Sequence, residues 1–173
     1  MMTDSEIINL WGEENLIRHK NTDMVQGIDY ETNYYLSNVG LPKEDVLLLN
    51  FDIELHSLAK LKGFSGFDKY IVIGVEDGRD YICLNNDLSV VLIDKQVKDE
   101  KFINSSLKKF IQCLAEYKKV QNERSYRYEH GMELESESTA RELEKTLATI
   151  DNEIESSEYF WSVITEQIEF EQI

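Results

Sequence analysis

Three apolar segments separated by two tight turns constrain this chain more than any other feature. Residues 70–75 read YIVIGV, 80–84 read DYICL and 89–94 read SVVLID. Between the first two stands Asp77-Gly78, a dipeptide suited to the positive φ angles of a two-residue hairpin. Between the second and third stands Asn85-Asn86-Asp87, whose side chains tolerate left-handed backbone in a turn. The pattern predicts three consecutive antiparallel strands, a meander over 70–94. YIVIGV is apolar at odd and even positions alike, so both of its faces must be covered and Ile71 and Ile73 lie inside.

Helical spacing flanks this sheet on both sides. Ile7, Ile8, Leu10, Trp11 and Leu16 predict an amphipathic helix over 5–19, capped by Ser5 and interrupted by Gly12. A second helix over 30–38 carries Tyr34, Tyr35 and Leu36. Gly40 stands just past its end and Pro42, the only proline, prevents its continuation. VLLLNF at 46–51 and the alternating IELHSL at 53–58 predict short strands, and Gly63 and Gly66 mark 62–69 as a loop. Asn104 is the expected cap of a helix running to about residue 120, with Leu107, Phe110, Ile111, Leu114 and Tyr117 as its apolar stripe. Residues 121–135 are polar and read as a loop. A helix over 137–150 follows, with Thr139 and Glu142 at capping-box spacing. The last helix, 157–169, presents Phe160, Val163, Ile164 and Ile168. Helices, then strands, then helices predict an α+β fold, with residues 1–173 as a single domain: a central, mostly antiparallel sheet, N-terminal helices and a C-terminal helical layer.

Charge narrows the partners. The formal net charge is −16, which argues against nucleic acid, because phosphate binding needs a basic surface. It suits a basic protein partner. Residues 95–128 carry a net +5 and residues 129–173 a net −11, so a basic helix is expected to lie against an acidic C-terminal arm. No apolar run approaches the roughly 18 residues of a membrane span. The first eleven residues lack the basic start of a secretory signal. A cytoplasmic protein is expected, with Cys83 and Cys113 as reduced core thiols.

Catalytic signatures are missing. His19, His56 and His130 have no metal-ligand spacing around them, and no GxSxG, GxxxxGK or GxGxxG occurs. No enzyme, metal or cofactor is expected. Trp11 and Trp161 sit on apolar helix sides and are assigned to the core rather than to an interface. The candidate partner-binding residues are Glu54, His56, Glu76, Asp77, Asp80 and Asp87. Alternation places Glu54 and His56 on one face of 53–58, opposite Ile53 and Leu55. The other four flank turns, where recognition residues concentrate.

A set of short motifs in fixed order goes further. WGEENL at 11–16, NVGLP at 38–42, YIVIG at 70–74, NSSLKKF at 104–110, Asp151 and Phe160-Trp161 resemble the SUKH superfamily of bacterial immunity proteins. The resemblance is to the subfamily with an early Trp-Gly and a Gly-Leu-Pro, and it spans about residues 7–168. The chain departs from many relatives at Leu88-Ser89, where they carry a turn glycine. The resemblance implies an α+β domain that binds and inhibits a toxin delivered between competing bacteria, without catalysis, through one surface of the sheet and adjoining loops. A nuclease-type toxin domain is basic, so the acidic charge fits such a partner. The competing expectation is a regulatory or scaffold module of the same fold with no toxin.

Overall fold

The computed structural model describes residues 1–20, 27–43, 46–76, 79–133, 135–156 and 160–170. Its fold is α+β. Helix α1, Asp4–Trp11, is held at its start by a capping box in which Thr3 and Glu6 bond each other's backbone N–H, so Thr3 takes the place expected of Ser5. The helix ends at Gly12, and the chain passes through a 3-10 turn into a short strand, β1, Leu16–Ile17. The helix expected to reach residue 19 therefore stops eight residues earlier. Helix α2, Tyr30–Tyr34, is capped by Asp29 and widens into a π-helical turn, Tyr35–Val39. Gly40 follows at φ 90°, and a Cβ there would lie 2.8 Å from the carbonyl oxygen of Ile17. Only glycine meets both demands. That close approach lets β2, Leu41–Pro42, pair antiparallel with β1.

The main sheet has six strands: β3, Leu49–Asn50; β4, His56–Ser57; β5, Ile71–Glu76; β6, Asp80–Leu84; β7, Val90–Ile93; and β8, Glu100–Asn104. Their order is β3-β5-β6-β7-β8, with β4 also on β5, and every pairing is antiparallel. The expected meander is present in β5, β6 and β7, with Ile71 4% and Ile73 0% exposed. Leu88 has φ 62°, a left-handed turn position that glycine adopts without steric cost. Strand β8 extends the sheet beyond what the sequence pattern indicates, because EKFIN lacks clean alternation.

Ile71, Ile73, Ile82, Leu84, Val90, Leu92 and Ile103 of the sheet point into the main core with the helices. Val72, Cys83, Val91 and Ile93 point the other way, where Leu58 and Phe64 cover them. Gly74 leaves room for Phe51: a Cβ there would stand 2.6 Å from the ring. Helix α3, Leu107–Glu129, is capped by Ser106 rather than Asn104 and runs through most of the expected 121–135 loop. Helix α4, Ser136–Ile150, has no side-chain cap, and Thr139 lies inside it. Helix α5, Phe160–Glu169, buries Phe160, Trp161, Ile164 and Ile168 but leaves Val163 exposed. Trp11 and Trp161 are both core residues, at 4% and 1% exposure, and both cysteines are buried free thiols. Among the described residues, no helix is long and apolar enough to cross a membrane.

The basic and acidic segments do pack, α3 against α4. Lys109 binds Asp151 across them at 3.2 Å. Lys108 instead pairs with Glu31, and Lys119 and Arg127 pair with acids of α3 itself.

Candidate functional site

Three turns meet at one end of the sheet. The register pairs Leu49 with Glu76, Glu76 with Asp80, Tyr81 with Ile93 and Ile93 with Glu100. The turn before β3, the Glu76–Asp80 pair that ends β5 and starts β6, and the β7–β8 turn therefore lie at the same end. Glu76 and Asp80 face each other across it, both partly exposed. Asp77 lies outside the described residues. Asp80 also serves the local structure. Its carboxylate accepts the Lys95 N–H at 2.9 Å, tying the β7–β8 turn to the start of β6. In that turn the Asp94 carboxylate accepts the N–H groups of Gln96 and Val97. These bonds to the charged form hold the Asp94 carboxyl below its usual range.

The other sequence candidates lie elsewhere. Asp87 is exposed in the β6–β7 turn at the opposite end of the sheet, with its N–H donated to Asn85 Oδ1. Glu54 and His56 lie along the β5 edge, where His56 pairs with Val72. Glu54 is exposed, and its carbonyl oxygen is 2.7 Å from His56 Nδ1. The alternation expected over 53–58 is not kept. Ile53 packs against the outer cluster and Leu55 against the main core, because extended pairing begins only at His56. The structure thus brings Glu76 and Asp80 together and keeps Glu54, His56 and Asp87 apart from them.

Two further residues belong to the turn end and have no signature in the sequence. Leu48 is 66% exposed and Val97 71% exposed. An apolar run such as VLLLNF reads as uniformly buried, so nothing in it marks Leu48 as the residue that turns outward.

Three of the late motif residues, Asn104, Asp151 and Trp161, gather instead at the opposite end of β8. Asn104 is fully buried: its amide N–H donates to Asp151 at 3.1 Å, and its carbonyl oxygen accepts the Trp161 indole N–H at 3.0 Å. Asp151, also 0% exposed, further accepts the Ser105 N–H at 2.7 Å, the Ser105 hydroxyl at 3.0 Å and the Lys109 ammonium at 3.2 Å. Burial pushes the Asp151 carboxyl upward, but these donors together outweigh it and hold it below the usual carboxylate range. Asn104 and Asp151 are shut away from solvent and the Asp151 carboxylate is matched by donors, so the cluster joins β8, α3, α4 and α5. Burial also pushes the neighbouring Cys113 thiol up to about 12, which leaves it inert. Among the described residues, no group of three His, Cys, Asp or Glu is arranged to hold a metal.

The SUKH-4 immunity protein family model matches residues 2–167. The chain belongs to the SUKH-4 immunity protein family. No curated protein and no solved structure matches it. Family membership carries an immunity function, with a protein toxin as partner. The buried Asn104–Asp151–Trp161 cluster shows why the late motifs occur together: they are parts of one joint.

Proposed function

We propose that this SUKH-4 protein acts in the cytoplasm as a single domain that neutralises a basic, nuclease-type toxin domain by binding it, without chemistry of its own. The observation that carries this reading is the family match over nearly the whole chain, joined to a net charge of −16. A toxin that holds nucleic acid presents cations to phosphate. An acidic inhibitor is steered to that surface and covers it. The proposed contacts are drawn from Glu54, His56, Glu76, Asp77, Asp80 and Asp87. Glu76 and Asp80, adjacent in register, form the centre of the contact, with Asp77 between them in sequence.

The test is titration of the toxin domain encoded beside this gene. Nuclease activity should fall linearly with added protein and vanish at one equivalent, with both chains recovered unmodified from a stable complex. Protection at far below one equivalent, or a covalent change in the toxin, would overturn a binding mechanism.

A further inference from the structure

The turn end of the sheet holds a backbone conformation that packing does not explain. The N–H of Leu49 donates to the carbonyl of Val46 at 2.8 Å, closing a two-residue turn in which Leu47 has φ 55° and Leu48 φ 62°. Turns with two left-handed central residues ordinarily use Asn, Asp or Gly, because an L side chain crowds its own backbone there. Leu47 has a packing role, since it lies against the main core. Leu48 has none: it stands 66% exposed between Val46 at 6% and Leu49 at 0%. Strain held without burial is a mark of function rather than of folding.

Val97 stands at the same end and is likewise exposed at 71%. Its turn is pinned by the Asp94 bonds of 2.7 and 2.9 Å and by the Asp80–Lys95 bond. From β3 to β7 the sheet crosses three inter-strand gaps, about 14 Å at the usual spacing. Glu76 and Asp80, at the β5–β6 connection, lie between the two aliphatic tips.

We propose that Leu48 and Val97 are apolar anchors for the toxin, set on either side of the Glu76–Asp80 carboxylates and entering apolar hollows on a basic toxin surface. The proposal rests on the immunity reading and divides its work. The carboxylates complement the partner's charge and speed encounter, whereas the aliphatic tips, once desolvated, slow release. A pinned turn and a closed two-residue turn present the tips already ordered, so little mobility is lost on binding. The rival surface is the far end of α3, where Tyr126, Tyr128 and Met132 are exposed.

The experiment measures association and dissociation rates of the full-length chain with the toxin domain encoded beside the gene, together with thermal unfolding. Variants are Leu48→Asn, Val97→Asn and, at the rival surface, Tyr128→Ala. Asparagine tolerates the left-handed turn, so Leu48→Asn should unfold no lower than wild type. It should nevertheless release the toxin at least about tenfold faster, with little change in association rate. Val97→Asn should act in the same direction, by severalfold, and Tyr128→Ala should match wild type. If wild type binds and Leu48→Asn releases the toxin at the same rate, the anchor proposal fails while the immunity reading stands. Loss confined to Tyr128→Ala moves the interface to α3. A wild-type dimer in sedimentation that Leu48→Asn abolishes makes this end a self-contact instead. No binding by wild type overturns both readings.

Discussion

The two ends of the main sheet follow opposite rules. At the Asn104 end, polar side chains are withdrawn from water and matched: Asp151 and Asn104 are 0% exposed and share bonds with Ser105, Lys109 and Trp161. At the Glu76 end, Leu48 and Val97 are put into water and Leu48 is held left-handed without burial, whereas the left-handed Leu88 at the other end packs against the main core. The first arrangement lowers the free energy of the fold, and the second raises it. A chain of this size is stable by only a small margin, so the second end is expected to return its cost in binding. On the proposed reading, fold and function are separated along one strand direction.

Substitutions at the Asn104 end should give the largest losses of stability, and the contrast between the two ends collapses if they do not. Asp151→Ala leaves Asn104, Ser105 and Lys109 donors facing an empty site and should cost about 3–5 kcal/mol, as for one partner of a buried pair. Trp161→Ala removes a ring packed against Phe110 and Phe160 and should also cost about 3–5 kcal/mol. Chemical denaturation measures both; a change below about 0.5 kcal/mol for Trp161→Ala would mean the ring is not part of the core. Gly74→Ala tests a smaller constraint. Its Cβ would press on Phe51, and a loss of about 1–3 kcal/mol is expected from overpacking.

A pH effect of smaller size is expected at His19. This residue is held below its ordinary value, first by burial, which disfavours the imidazolium, against the opposing charge of Asp52. Its Nε2 is buried and finds no partner among the described residues. A depressed folded value means the stability this site contributes is complete above about pH 6.5, the unfolded value, and is lost as pH falls through the folded one. The unfolding midpoint of wild type should decline below about pH 6.5 more steeply than that of His19→Gln. Parallel curves would remove His19 from the explanation.

The parts of the fold legible in the sequence are those where period and turn chemistry agree. The meander is readable because YIVIGV, DYICL and SVVLID are bounded by turn residues, and the core role of both tryptophans follows from helical spacing. Helix ends are less legible. Ser106 rather than Asn104 caps α3 because Asn104 is already committed to Asp151 and Trp161, a tertiary demand invisible to local pattern. Residues 121–129 continue α3 although they are polar, since a helix flanked by α4 needs only part of its surface buried. At the site, the turn acids are legible as loop chemistry. Leu48 is not, because its outward turn depends on a φ angle that leucine seldom adopts.

If one end of the sheet holds the fold and the other meets the toxin, charge reversal at the second end must slow encounter without unfolding the chain. The direct measurement is the association rate of the triple variant Glu76→Lys, Asp77→Lys, Asp80→Lys with the neighbour-encoded toxin domain over a range of salt concentrations. The expected result is association slower by about tenfold or more at low salt, a flatter salt dependence and toxin activity no longer fully suppressed at one equivalent, in a chain that still folds and whose unfolding midpoint falls only by the loss of the Asp80–Lys95 bond. An unchanged rate and salt dependence in a folded triple variant would contradict this division and place the interface away from this end of the sheet.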